Sequence, residues 1–89
     1  MKRPYLEVTF RKGKPIAAYL YLPRPTGVRS ARTAEVRPNI LVDYAPSGEP
    51  IGLELTAPDR IDLALVNEVL HEIGASAVAT EDLAPLWAA

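Results

Sequence analysis

The sequence contains no cysteine, and it has only one histidine, one tryptophan and one phenylalanine among its 89 residues. Without cysteine, a disulfide framework and thiolate chemistry are excluded. A zinc site needs several histidine or cysteine ligands at suitable spacing, and His71 alone does not supply them. No phosphate-cradling glycine loop, nucleophile elbow or HExxH motif occurs. The sequence therefore predicts a protein that is not an enzyme and that uses no cofactor or metal.

Long apolar runs are also absent. No stretch approaches the ~20 apolar residues that span a bilayer. The N-terminal residues are basic, but no apolar segment of the kind found in secretory signals follows them. We therefore expect a soluble, cytoplasmic protein that does not act at a membrane.

The acidic and basic residues are divided unevenly between the two halves of the chain. Residues 1–44 hold nine Lys or Arg and three Asp or Glu, a net charge of +6, whereas residues 45–89 hold one Arg and eight acids, a net charge of -7. Such asymmetry can mark a basic surface for an acidic partner, or complementary faces for self-association. The alternative is that the two halves intermingle in the fold and compensate each other locally.

Alternating apolar residues predict two strands near the N-terminus, at residues 5–10 and 16–22. Gly13 lies in the connection between them, where a positive φ is expected. The second strand is apolar on both faces, which indicates that a helix or another subunit covers its second side. One face holds Ile16, Ala18, Leu20 and Leu22, and the other holds Tyr19 and Tyr21.

Residues 31–56 predict a three-strand meander, with turns at residues 37–39 and 45–48. Hydrophobic matching sets Val36 opposite Ile40 across the first turn. Ala34 then pairs with Val42, and Arg32 with Tyr44. Across the second turn hydrophobic matching pairs Tyr44 with Glu49, Val42 with Ile51 and Ile40 with Leu53. This register places the aliphatic residues on one face and collects Thr33, Glu35, Leu41, Asp43, Gly52 and Glu54 on the other.

The C-terminal third reads as helical. Residues 62–73 carry an apolar stripe with Asp59 or Asp62 as the N-cap, and Gly74 follows at the position of a C-terminal glycine. A short terminal helix is predicted from Thr80, with Thr80 as its cap, and Leu83, Leu86 and Trp87 could pin it onto the domain. The predicted fold is α+β in one domain, residues 1–89. Residues 5–57 form an antiparallel meander of about five strands, and residues 59–89 form a helical extension that covers one face.

Several residues are candidates for a functional surface. Tyr19 and Tyr21 could stack on nucleic-acid bases, although cross-strand packing is the commoner role of such a pair. Asp43 and Glu54 could share a proton or bind a cation, or simply decorate the sheet beside Thr33. Arg24, Arg29 and Arg32 form the densest basic stretch. The candidate surface therefore comprises Tyr19, Tyr21, Arg24, Arg29, Arg32, Thr33, Asp43 and Glu54.

The block from Ala31 to Leu55, A-R-T-x-E-V-x-P-x-I-x-V-D-Y-x-x-x-G-x-x-I-G-x-E-L, resembles DUF2283, a family of small bacterial proteins of unknown function. The resemblance extends over roughly residues 5–57. It departs at Arg11–Lys14, where many members of the family have an acidic turn. The resemblance implies no catalytic residue, and it implies an analogy to the partner halves of toxin–antitoxin pairs.

Three hypotheses about function follow. The first is a non-enzymatic interaction domain that forms a homodimer or binds a small protein partner. The second is a nucleic-acid-binding or antitoxin-like regulator that uses Lys12, Lys14, Arg24, Arg29 and Arg32. The third is a hydrolase that uses Asp43 and Glu54.

Overall fold

The computed structural model describes residues 3–87, so residues 1–2 and 88–89 of the expected domain lie outside it. One five-stranded antiparallel sheet and two short helices make up this part of the chain, and the predicted α+β class is confirmed. The strands are β1 (Tyr5–Arg11), β2 (Lys14–Tyr21), β3 (Arg32–Arg37), β4 (Ile40–Tyr44) and β5 (Pro50–Leu55). The helices are α1 (Leu63–Glu72) and α2 (Thr80–Leu83), with 3-10 turns at Pro58–Arg60 and Ala84–Trp87.

The strand order is β1-β2-β5-β4-β3. The meander of β3, β4 and β5 is present, but β2 pairs with β5 instead of β3. The expectation of one continuous meander was therefore wrong. The long connection between Tyr21 and Arg32 carries the chain from β2, the second strand of the sheet, to β3 at the far edge. The two edge strands are therefore β1 and β3.

A two-residue turn joins β1 to β2. Lys12 and Gly13 both have a positive φ, 52° and 79°, as the tightest hairpin turns require. Farther along this hairpin Thr9 pairs with Ala17 and Phe10 with Pro15, so β2 contains one extra residue. That bulge explains why Ile16, predicted on the buried side, is 46% exposed.

The register between β4 and β5 differs by two residues from the prediction. Val42 pairs with Leu53 and Ile40 with Leu55. Gly48, with φ 93°, extends the turn by one residue, and the amide of Ala45 donates to the carbonyl of Glu49. A bulge in β5 adds the second residue. From Gly52 onward the shift is even, so Leu53 and Leu55 keep their predicted face. Ile51, the extra residue of the bulge, instead lines a groove with Tyr19 and Tyr21.

The register between β3 and β4 agrees with the prediction over most of its length. Arg32 pairs with Tyr44 and Ala34 with Val42. In the turn, Asn39 has a left-handed conformation, with φ 70°, which asparagine tolerates well. The exception is the end of β3, where Arg37 and not Val36 lies opposite Ile40. Val36 is therefore the extra residue of a bulge in an edge strand.

One apolar cluster joins the inner face of the sheet to the helices. It contains Leu20, Ile40, Val42, Leu53 and Leu55 from the strands, and Val66, Val69, Leu70, Leu83 and Leu86 from the C-terminal region. Burial of each such aliphatic side chain contributes roughly 1.5–3 kcal/mol before conformational entropy is subtracted. Trp87, expected to help pin the terminal helix, remains 43% exposed.

Both ends of α1 are capped as the sequence predicts. The carboxylate of Asp62 accepts a hydrogen bond from the amide of Leu65 at 2.7 Å. After the helix, Gly74 has φ 79°, and the amide of Ala75 donates to the carbonyl of Leu70. This is the arrangement in which a left-handed glycine closes a helix. Within the described residues no helix is long and apolar enough to cross a membrane.

The start of α2 differs from the prediction. Ala79, and not Thr80, occupies the N-cap position. The Asp82 carboxylate accepts the amide hydrogen of Ala79 at 2.8 Å, which supplies the acidic half of a capping box. The helix therefore begins one residue earlier than predicted, and its N-cap residue has no hydroxyl group.

Asn67 holds the connector between the helices, a role that the sequence did not reveal. Its side-chain amide donates to the carbonyl of Val78 at 3.0 Å, and its carbonyl oxygen accepts from the amide of Val78 at 2.8 Å. Since Val78 is buried, these two bonds satisfy backbone groups that water reaches poorly.

We expect Asn67→Ala to lower the free energy of unfolding by about 1–3 kcal/mol, because it leaves buried backbone groups without partners. Urea denaturation measures the change. Ser76→Ala, at an exposed position of the same connector, is the control and should change stability by less than about 0.5 kcal/mol. Equal stabilities of the two variants would contradict the role of Asn67.

Candidate functional site

The outer face of the sheet, defined as the face that points away from the apolar cluster, carries most of the candidate residues. Pairing across the strands arranges this face in two rows. One row contains Thr33, Asp43, Gly52, Tyr21 and Tyr5, and the other contains Glu35, Leu41, Glu54, Tyr19 and Glu7. The β2–β5 pairing, which the sequence did not predict, is what brings Tyr19 and Tyr21 beside Asp43 and Glu54.

Tyr19 crosses from one row to the other above Gly52. A Cβ atom at Gly52 would overlap the ring and hydroxyl of Tyr19. The Tyr19 hydroxyl donates to Oδ2 of Asp43 at 2.7 Å, and the Thr33 hydroxyl donates to Oδ1 of the same carboxylate. Three strands are thus linked by one carboxylate, and the missing side chain of Gly52 makes the space for this contact.

The environment of Tyr19 keeps its phenol neutral. Burial raises the pKa of Tyr19 well above its ordinary value, and the hydrogen bond to Asp43 and the negative charge of that carboxylate raise it further. The neutral hydroxyl is the form that can donate to Asp43. Tyr19 is therefore a fixed structural donor and not a proton-transfer group near neutral pH.

Tyr5, Tyr19 and Tyr21 form a contiguous aromatic strip. The centroids of the Tyr19 and Tyr21 rings lie 4.7 Å apart in an edge-on arrangement, and those of Tyr5 and Tyr21 lie 5.3 Å apart. The Tyr21 hydroxyl donates to Glu7 at 3.2 Å. Tyr5 and Glu7 were not singled out from the sequence, although the alternation in the first strand places them on this face.

Arg24 ends the aromatic strip. Its guanidinium lies 5.1 Å from the centroid of the Tyr21 ring and donates to the carbonyl of Ile51 at 3.1 Å. A groove of about 270 Å³ lies beside it, lined by Tyr19, Tyr21, Arg24, Val28, Arg29, Ser30 and Ile51. The structure therefore places Arg24 and Arg29 with the two tyrosines, as a cationic and aromatic recess.

Arg32 lies elsewhere. It alternates with Thr33 along β3 and stacks on Tyr44 of the opposite face, with 4.2 Å between the guanidinium and the ring centroid. The lysines of the other basic segment, Lys12 and Lys14, lie at the far end of β2, roughly 23 Å from Tyr21 at the usual rise per strand residue. The five cations of the nucleic-acid hypothesis are therefore spread over three separate places.

Asp43 and Glu54 do not form a hydrogen-bonded acid pair. Asp43 lies opposite Gly52, and Glu54 lies opposite Leu41 and Tyr19. Both oxygens of Asp43 accept hydrogen bonds from neutral hydroxyls. Across residues 3–87, no group of three or more His, Cys, Asp and Glu side chains could hold a metal ion.

One contact shows how the two oppositely charged halves of the chain meet. Arg37, at the end of β3, forms ion pairs with Glu68, at 3.1 Å, and with Glu72, both on α1. Local compensation therefore operates at this point. The sequence pattern gave no sign of this contact, because Arg37 and the two acids are more than thirty positions apart.

Comparison with models of known protein families, with curated proteins and with solved structures found no match. The resemblance of residues 31–55 to DUF2283 therefore stays a prediction.

We expect Gly52→Ala to destabilise the protein by about 1–3 kcal/mol, because the new methyl group displaces the Tyr19 ring. The cost should be much smaller in a Tyr19→Ala background, where the space above Gly52 is empty. Urea denaturation of the two single variants and the double variant measures this coupling. Additive effects would contradict the close approach of Tyr19 to Gly52.

The raised pKa of Tyr19 predicts a pH dependence of stability. Below the unfolded pKa of about 10, both states hold the proton and the stabilisation is fully present. As the pH rises above that value the unfolded chain ionises first, so the free energy of unfolding falls. Tyr19→Phe keeps the ring but should weaken this decline, measured by denaturation between pH 8 and 11. An unchanged pH profile would contradict the buried, neutral phenol.

Proposed function

We propose that this chain is a non-enzymatic interaction domain that binds another polypeptide, either a second copy or a different protein. The observation that carries the proposal is the aromatic strip of Tyr5, Tyr19 and Tyr21, which lies on the sheet face opposite the apolar cluster. Tyr5 is 54% exposed, and Tyr19 and Tyr21 are half-buried.

The residue types on this face suit a protein partner. Tyrosine and arginine are enriched in protein interfaces, because they offer a large contact area together with hydrogen-bonding groups. Tyr19 and Arg24 are already held in place, by Asp43 and by the carbonyl of Ile51. Binding of a partner therefore costs little side-chain entropy at these two residues.

The bonding of Asp43 favours binding over catalysis. A carboxylate that serves as base or nucleophile needs a free oxygen directed at a substrate. On the outer face, Asp43 accepts hydrogen bonds from the hydroxyls of Tyr19 and Thr33. Its two oxygens therefore link β4 to β2 and β3. We also propose a cytoplasmic location, which the absence of cysteine favours.

The nucleic-acid alternative has weaker support. The aromatic strip could stack on bases, but a backbone-tracking surface needs contiguous cations, and the separation of Lys12 and Lys14 from Arg24 and Arg29 does not supply them. Glu7 and Glu54 lie beside Tyr19 on the outer face, between Lys14 and Tyr21 along the strands, and Asp43 lies in the row of Tyr21.

The test is capture of a polypeptide by the immobilised chain, in which the affinity of the unchanged chain is compared with that of tyrosine and arginine variants. Tyr21→Ala and Arg24→Ala should each weaken capture at least about tenfold, equivalent to 1.4 kcal/mol. Arg60→Ala removes an exposed arginine from the 3-10 turn before α1 and should leave capture unchanged.

Two results would contradict the proposed function. One is a chain that stays monomeric and captures no polypeptide. The other is retention of mixed DNA and RNA in low-salt gel shifts, lost with the same two variants and steeply weakened by salt. Thermal melting of each variant checks that the fold is kept.

A further inference from the structure

The two edges of the sheet are unequal. At β3 the extra residue Val36 interrupts the edge, and Arg37 is engaged by the acids of α1. Bulges and charges of this kind protect an edge from pairing with another chain. At β1 the bulge lies in the inner strand β2 instead, so β1 keeps seven regular residues, and no strand of residues 3–87 pairs with its other side. The unprotected edge of the sheet is therefore β1.

Exposed apolar side chains concentrate beside this open edge. The large hydrophobic residues with most exposure are Tyr5, Phe10, Ile16 and Trp87, and the first three belong to the β1–β2 hairpin. Trp87 belongs to the 3-10 turn that contacts β1 from the side of the apolar cluster. An edge strand with exposed apolar neighbours is a common site for strand addition.

The sequence of β1 is complementary to itself. In an antiparallel pair of two β1 strands centred on Thr9, Glu7 faces Arg11 of the second copy and Val8 faces Phe10. The two Thr9 residues face each other. Opposite charges, aromatic with β-branched residues, and threonine pairs are the favourable cross-strand combinations. The stretch Glu7–Arg11 thus offers a favourable partner at every position.

Neighbouring registers are less favourable. A pair centred on Leu6 or Val8 also keeps each side chain on its own face. Centring on Leu6, however, sets Glu7 opposite Tyr5. Centring on Val8 sets Arg11 opposite Tyr5, so Arg11 faces no acid. A pair centred on Glu7 sets that carboxylate against itself. Registers centred between two residues would place an outer-face residue opposite a core-side residue. Only the pair centred on Thr9 matches both charges.

Charge at the hairpin tip points to the same partner. Arg11 lies directly opposite Lys14 within its own hairpin, with Lys12 in the turn between them. Like charges that face each other across strands are destabilising. A second copy brings a carboxylate, Glu7, to Arg11. Among residues 3–87, Glu7 accepts a hydrogen bond from the Tyr21 hydroxyl on Oε1 alone, which leaves Oε2 for Arg11 of the second copy.

We propose that two copies of this chain associate through their β1 edges, centred on Thr9, to form a continuous ten-stranded sheet. The proposal rests on the proposed interaction function and specifies one partner for it. The two-fold axis is perpendicular to the sheet, so the helices of both copies lie on one face and both outer faces remain open. Five residue pairs make a small interface, of the size class that associates weakly.

The test is sedimentation equilibrium of the full chain up to about 1 mM, the range of weak association. Glu7→Arg and Arg11→Glu each create two like-charge pairs, because the interface is symmetric, and each should raise the dimer Kd at least about tenfold. Combining the two substitutions restores opposite charges and should bring the Kd back to near the wild-type value.

Lys12→Glu is the matched control. It makes the same change of charge as Arg11→Glu but lies in the turn, outside the five paired residues, and should leave the Kd within about twofold, less than 0.5 kcal/mol. Arg11→Glu also removes the repulsion from Lys14, so a loss of dimer in this variant does not reflect unfolding. Thermal melting of each monomer verifies this.

The outcomes separate the two proposals. A monomer at about 1 mM overturns the β1 dimer, and capture of a different polypeptide would then still support the interaction function. A dimer that is unaffected by Glu7→Arg and Arg11→Glu overturns the β1 interface while self-association stands. Loss of the dimer in both single variants and recovery in the double variant supports the proposed register.

Discussion

Within residues 3–87, the buried residues of the helices join one face of the five-stranded sheet. The fully buried row Leu20, Leu53 and Val42 runs across β2, β5 and β4 on the side of the helices. The apolar residues of α1 and α2 join that row in one cluster. In the part of the chain that the structure describes, no helix lies over the outer face. The use of that face and of the sheet edges follows from this constraint.

The outer face is nevertheless ordered in detail. Gly52 leaves the space that the Tyr19 ring fills, and Asp43 joins Tyr19 to Thr33 across three strands. Tyr21 then packs between Tyr5, Tyr19 and Arg24. Because these side chains are already fixed, binding of a partner costs little of their conformational entropy. This order of the outer face supports the proposed recognition of a partner.

The sequence predicted the strands, their faces outside the bulges at Ile16 and Ile51, and the caps of α1. These features depend on local alternation and on turn residues such as Gly13 and Gly74. The sequence did not predict the β2–β5 pairing, which is a long-range contact set by the route of the connection after Tyr21. It also misjudged the β4–β5 register, since two single-residue insertions add up to an even shift and leave the faces of Leu53 and Leu55 unchanged. Among the candidate residues, Tyr19, Tyr21, Arg24, Arg29, Thr33, Asp43 and Glu54 share the outer face or its recess, whereas alternation along β3 directs Arg32 to the other face.

Amide hydrogen exchange at low and high protein concentration tests most directly whether the uncovered parts of the sheet are the parts that bind. Association through the open edge predicts slower exchange at high concentration for amides of β1, with no change in β3, whose edge is bulged and whose Arg37 is held by α1. Concentration-dependent protection confined to the helices or to β3 would contradict the account. Protection of β1 alone would support it.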